Sequence, residues 1–236
     1  MKYTFTPNIR TVAQFKPVWT TDIIKNEPMM FSADPAFAHT HGRSLTREIT
    51  RMLLHSKEYK EIVMFAPQDD FFTVIDTRVT MTMKGMYPSI PGWHCDDIPR
   101  SRTTGQPVLH GVNPFVQHFM VILSDQESTV SATEFLNMTV ELDIDLANVW
   151  QSVDHGINER MDTYRIHQKE TDNHMNPMTS FIKPGDIVRF NQEAIHRASP
   201  TITPGWRFFY RLSITHRKPA NEVRNQVQVY ASENGW

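Results

Sequence analysis

Directly after Pro91-Gly92 the chain reads Trp93-His94-Cys95-Asp96-Asp97, an imidazole and a carboxylate two positions apart. On an extended segment side chains alternate between faces, so His94 and Asp96 point to one side while Cys95 and Asp97 point to the other. A nitrogen donor and an oxygen donor then converge on a shared point, the beginning of a metal site. Taken alone, the pair reads equally as a solvent-exposed loop, because eleven histidines among 26 acidic residues generate such spacings by chance. Asp97 faces away unless the strand bulges, and Cys95 reads as a buried thiol.

A second block strengthens the metal reading. Lys183-Pro184-Gly185-Asp186 is a turn feeding the apolar run Ile187-Val188-Arg189-Phe190, His196 sits beyond the end of that run, and Pro204-Gly205 opens a return strand. On that return strand Arg207, Phe209, Arg211 and Ser213 share one face, and Phe208, Tyr210, Leu212 and Ile214 share the other. Arginines on a face packed with aromatics are costly to bury without anionic partners, and an anionic ligand inside a barrel supplies one. Two histidines and one carboxylate hold non-haem Fe(II) on one side and leave the opposite positions open, whereas a structural zinc site normally closes with four protein ligands. A dicarboxylate such as 2-oxoglutarate chelates the iron through its 2-oxo acid end, and its far carboxylate needs a bidentate cation. Arg207 or Arg211 suits that task. The alternative for His196 is a hydrogen-bonded core histidine.

Several elements must position these residues. From Ser44, Leu45, Ile49, Met52 and Leu53 recur at helical spacing, predicting an amphipathic helix. From Phe72 the period changes to two: Val79, Met81 and Met83 alternate with Arg78, Thr80, Thr82 and Lys84. Further strands are expected over Phe115–Leu123, Thr129–Leu136, Phe181–Phe190 and Trp206–Thr215. Residues 141–177 are polar and read as an insertion or lid, with a helix around Leu146–Met161. The expectation is one domain over residues 1–236. In it 1–70 form a helical support, and 72–136 with 181–215 form a mainly β core flanked by helices.

These motifs resemble the Fe(II)- and 2-oxoglutarate-dependent oxygenases, whose core is a double-stranded β-helix, the cupin-like jelly roll. Trp93-His94-Cys95-Asp96 is similar to the Trp-His-x-Asp of phytanoyl-CoA-hydroxylase-like members, and Gly185-Asp186 through His196 to the strand that carries their distal histidine. The run from His196 to Arg207 and Arg211 is similar to the tail of taurine-dioxygenase-like members. The resemblance implies that His94, Asp96 and His196 bind Fe(II) and that 2-oxoglutarate and dioxygen take the open positions. Arg207 then clamps the far carboxylate, and Arg211 assists with co-substrate or substrate. Ala132-Thr133-Glu134-Phe135-Leu136 resembles a strand of the phytanoyl-like branch, which implies a co-substrate contact for Thr133. There the usual continuation is Pro-Gly-Ser-His, where this chain has Asn137-Met138-Thr139. The implied activity is hydroxylation of a small molecule such as an amino acid or related metabolite, with release of succinate and CO2. The alternatives are a nucleobase- or nucleic-acid-modifying member, or a non-oxidative cupin-like metalloprotein.

Composition bounds these readings. With 39% hydrophobic and 11% aromatic residues the 236-residue chain buries a core, which excludes wholesale disorder. The 24 basic and 26 acidic side chains nearly cancel, so nothing global points to duplex nucleic acid, and only Lys84, Arg100 and Arg102 suggest a local basic track. A single cysteine excludes a disulfide framework and fits a reducing, cytoplasmic setting. No apolar run reaches signal-peptide length near the N-terminus, and none reaches the roughly 18–20 residues of a membrane span. His39-Thr40-His41 has no third ligand to converge with, His118 reads as a core or pocket histidine, and Tyr87 as a turn residue.

Overall fold

The computed structural model describes residues 1–67, 70–124, 131–171, 178–226 and 229–231, with side chains of 166–171 left aside. In chain order the elements are β1 (Lys2–Phe5), β2 (Ile9–Gln14), α1 (Thr21–Asn26), β3 (Met29–Ala33), α2 (Pro35–His41), α3 (Ser44–His55) and α4 (Lys57–Phe65). The central stretch holds β4 (Phe72–Thr82), β5 (Gln117–Ser124), β6 (Thr133–Leu136), β7 (Val140–Asp143) and α5 (Val149–Thr171). The chain finishes with β8 (Thr179–Phe181), β9 (Asp186–Asn191), β10 (His196–Ala198), β11 (Gly205–Thr215) and β12 (Glu222–Arg224).

A seven-stranded antiparallel sheet in the order β12-β3-β4-β11-β5-β9-β2 faces a three-stranded sheet in the order β10-β6-β8, and His94 bridges onto the edge of the smaller one. From β4 onward the chain alternates between them: β4 large, His94 small, β5 large, β6 and β8 small, β9 large, β10 small, β11 large. That alternation is the double-stranded β-helix, or jelly roll. Between the sheets Met120, Ile122, Val188 and Phe190 from the large sheet pack on Phe135, Ile182 and Ala194 from the other side. On the outer face of the large sheet Phe119, Val121, Phe208, Tyr210 and Leu212 pack against Ile24, Ala38, Leu45, Ile49 and Leu53 of the helices. Burying each such side chain contributes roughly 1.5–3 kcal/mol. The two faces expected for the last strand are therefore the two faces of β11.

The predicted helix from Ser44 is α3, and the period-two segment from Phe72 is β4. Three expectations change. The first seventy residues are not only helical: β2 and β3 extend the large sheet and β1 pairs with β7, each a short strand without a long apolar alternation to announce it. The run Phe181–Phe190 is two strands, because Lys183-Pro184-Gly185-Asp186 is a closed turn between the sheets, with the Asp186 amide donating to the Lys183 carbonyl at 3.0 Å and Gly185 at φ +85°. Residues of the expected strand before 131 lie outside the described ones, and among those described the strand is β6. The described part of the 141–177 segment is no cover over the barrel. Its long helix α5 packs Val149, Trp150, Val153 and Ile157 against Trp93, Cys95, Leu136 and Leu142 on the outside of the small sheet. No described helix is long and apolar enough to cross a membrane.

Candidate active site

Two strand segments from distant parts of the chain bring the donors together. His94 and His196 face each other as an antiparallel bridge, each amide donating to the other's carbonyl at 3.0 and 2.9 Å. The partner of His196 on the other side is Phe135 of β6. The His94 segment is tied down from behind: the Trp93 amide donates to Asp154 Oδ1 at 2.8 Å, its indole N–H donates to Asn158 Oδ1 at 3.2 Å, and Arg197 lies 4.3 Å over its ring. Trp93 and Cys95 thus point into the α5 core, and alternation turns His94 and Asp96 toward the barrel interior.

His94, Asp96 and His196 each offer one ligand atom, all within 4.8 Å of one another, and they are the single such metal-capable group among the described residues. The imidazole tautomers follow from the partners. His94 Nδ1 lies 2.8 Å from the Gly92 carbonyl and His196 Nδ1 lies 2.9 Å from the Ala194 carbonyl. A carbonyl only accepts, so each Nδ1 carries the proton and each Nε2 is the atom left to take a metal. Burial, with His196 beside it, pushes the His94 imidazole down to about 4, so it stays neutral at ordinary pH.

The carboxylate is held by arginines. Arg211 Nη1 donates to Asp96 Oδ2, which also lies 3.3 Å from His196 Nε2. Burial alone would raise the Asp96 carboxyl, but the Arg211 guanidinium beside it outweighs that and holds it well below the usual carboxylate range. The other end of Arg211 donates to Asp76 Oδ2 at 2.7 Å, and Arg217 reaches the same oxygen at 2.7 Å. The Ser32 amide donates to Asp76 Oδ1 at 2.9 Å. Burial raises the Asp76 carboxyl and the two guanidiniums more than reverse it, leaving it well below the ordinary value.

Arg207 is different. It is 2% exposed, its Nε donates to the Ser131 carbonyl at 3.0 Å, and among the described residues no carboxylate pairs with it. Burial, aided by the field of Arg78, lowers its guanidinium to about 9, still a cation at neutral pH. It lines the same cavity, of about 100 Å³, as the three donors, together with Thr133, Met120 and Phe209. All the predicted site residues, His94, Asp96, His196, Arg207, Arg211 and Thr133, therefore border one cavity. Of the two arginines, Arg211 already has acids and Arg207 does not.

Other candidates separate from this group. Asp97 does not join the donors: its φ of +54° bends the chain, and its Oδ2 lies 3.8 Å from Arg217. His118 is a buried barrel histidine bound through Nδ1 to Ser213 Oγ at 2.8 Å. His39 and His41 end α2, and Lys84, Tyr87, Arg100 and Arg102 do not line the cavity. Sequence reasoning missed Asp76 and Arg217. The one local signal was a carboxylate directly after the apolar pair Val74-Ile75; its partner Arg211 lies across on β11 and its partner Arg217 just past the end of that strand.

No protein-family model matches the chain, and no curated protein matches it. Among solved structures it is similar to an N-substituted L-amino acid dioxygenase from Burkholderia ambifaria AMMD, at 13% identity over 86% of this chain and 81% of that one, with a TM-score of 0.38. It is also similar to the Kdo hydroxylase KdoO, a non-haem Fe(II) α-ketoglutarate-dependent dioxygenase, at 10% identity over 89% and 80% with a TM-score of 0.39. HygX from Streptomyces hygroscopicus, solved with iron bound, is similar at 12% identity over 89% and 82% with a TM-score of 0.33. Likeness at this level concerns the course of the chain alone.

Proposed function

We propose that the protein is an Fe(II)- and 2-oxoglutarate-dependent oxygenase that hydroxylates an unactivated C–H bond of a small molecule, consuming dioxygen and releasing succinate and CO2. The observation that carries this reading is the presence, in one cavity, of a two-histidine, one-carboxylate donor set and a buried arginine without an acid of its own. The donor set fits divalent iron: the three ligand atoms lie within 4.8 Å of one another, and no fourth protein ligand joins them among the described residues. A non-oxidative cupin-like metal site would have no use for the lone cation at Arg207.

Bound iron supplies the redox chemistry, coupling oxidative decarboxylation of 2-oxoglutarate to substrate oxidation, with one oxygen atom of O2 entering the substrate and the other entering succinate. The chain's own residues do the rest. The Gly92 and Ala194 carbonyls fix the Nδ1 protons so that His94 and His196 present Nε2 lone pairs. Arg211 keeps Asp96 ionised and aimed. Arg207 takes the far carboxylate of 2-oxoglutarate in a bidentate grip, with Thr133 lining the same cavity from the other sheet. Met120 and Phe209 give the cavity apolar walls that exclude water around a reactive centre.

Anaerobic addition of Fe(II) and 2-oxoglutarate tests the reading. A visible charge-transfer band is expected in the native protein and is expected to vanish in His94→Ala and in Arg207→Ala. If the native protein forms no band and calorimetry detects no 2-oxoglutarate binding, the oxygenase reading is wrong.

A further inference from the structure

We infer that the substrate of this site carries an oxyanion, a carboxylate or a phosphate ester, and that Arg78 at the cavity mouth receives it; the inference rests on the oxygenase reading above. Arg78 lies on β4 opposite Phe209 of β11, two residues from Asp76 and on the same inward face. It lines the donor cavity and also an adjoining cavity of about 220 Å³, and the two cavities share Asp76, Arg78, Ser89, Ile90 and Arg211. Arg78 therefore stands where one space opens into the other. The adjoining space adds Met30, Phe31 and Tyr230, surfaces suited to a carbon skeleton.

Partnership distinguishes Arg78 from its neighbours. Arg211 is taken by Asp76 and Asp96, Arg217 by Asp76, Arg197 by Glu134 and Arg224 by Glu222. Among the described residues Arg78 has no hydrogen bond and no ion pair, and its side chain is exposed at the mouth. The charge balance points the same way. Three acids, Asp76, Asp96 and Asp97, face four arginines, Arg78, Arg207, Arg211 and Arg217. A divalent ion and a dicarboxylate cancel each other, so the loaded site keeps one positive charge in excess. Arg207 is then occupied, and the charge left to attract a third component is Arg78. Arg78 lies within the field of Arg207 and Arg211, and an arriving anion relieves that like-charge repulsion.

The test measures binding rather than turnover. Phenylacetate, phenyl phosphate, phenylacetamide and 2-phenylethylamine are titrated by ligand-observed NMR into the protein holding Fe(II) and 2-oxoglutarate under nitrogen. At least one of the two anions is expected to bind about tenfold tighter than the amide and the amine. Which anion binds separates carboxylate from phosphate. In Arg78→Gln that preference is expected to disappear, in Arg78→Lys to survive in part, and in both the 2-oxoglutarate charge-transfer band to persist. The inference is overturned if neither anion binds the native protein, if the amide or amine binds as well as the anions, or if Arg78→Gln keeps the preference. A missing band in the native protein would instead defeat the oxygenase reading, and the acid-against-amide comparison on the metal-free protein would still report on Arg78.

Discussion

Asp76 of β4 stands directly across from Arg211 of β11 in the antiparallel register, and their side chains meet at 2.7 Å on the inner face of the large sheet. Because the other end of Arg211 grips Asp96, the pairing of two sheet strands is converted into the aim of a ligand that belongs to a different segment.

Replacing Asp76 with Asn leaves Arg211 and Arg217 facing each other without their acid. Removing one member of a buried ion pair costs about 3–5 kcal/mol, and that loss is expected in the urea midpoint. Metal affinity is expected to fall about 10–100-fold through Asp96. An unchanged midpoint with unchanged metal affinity would show that the network does not hold the ligand.

Arg207→Gln keeps a hydrogen-bonding group and removes the charge. Loss of a charge-assisted bond is worth about 1.5–3 kcal/mol, so the Kd for 2-oxoglutarate is expected to rise at least about tenfold, with Arg207→Lys in between because an ammonium lacks the planar fork. Metal binding, read from Co(II) absorption, is expected to stay normal. Equal 2-oxoglutarate affinity in the Gln variant would move the clamp elsewhere.

Burial pushes the His118 imidazole down to about 4 from an ordinary value near 6.5. Between those values the unfolded chain takes up a proton that the folded chain refuses. Its contribution is therefore intact above about pH 6.5 and is lost as pH falls toward about 4, at about 1.4 kcal/mol per pH unit. In the metal-free protein His94 acts in the same window. Urea unfolding of metal-free protein from about pH 4 to about pH 7 should show that slope, reduced by about one proton in His118→Gln. An identical slope in the variant would mean that His118 titrates alike in both states.

Asp154 on α5 does not border the cavity, yet it holds the Trp93 amide next to the first ligand. Asp154→Ala is expected to cost about 1–2 kcal/mol and to weaken metal binding about tenfold, measured by competition with a chromophoric chelator. Normal metal affinity in a destabilised variant would confine the role of α5 to stability.

What could be read in the sequence follows the reach of each physical signal. His94 and Asp96 were legible because alternation depends only on residues two apart, and the inward face of β11 was legible for the same reason. Asp76 was not, because its role is created by the β4–β11 register, nor was Arg217, which reaches Asp76 from the segment just past the end of β11; no local period carries either relationship. The choice between Arg207 and Arg211 also required the fold: both face inward, and only the positions of Asp76 and Asp96 reveal which one is already neutralised. The N-terminal strands escaped for a third reason. The β2 burial pattern has no residue fully inside, so its membership in the sheet comes from backbone pairing with β9 rather than from an apolar face.

Cys95 sits between two of the three donors, and the alternation that sends its neighbours into the cavity sends its sulfur the other way, beneath α5. Burial raises its thiol well above the ordinary value, so it remains protonated and poorly nucleophilic. Under the proposed dioxygen chemistry, the oxidisable atom nearest to the centre in sequence is thereby placed on the far side of its own strand. Self-inactivation through sulfenic acid is countered by a single step of backbone pleat.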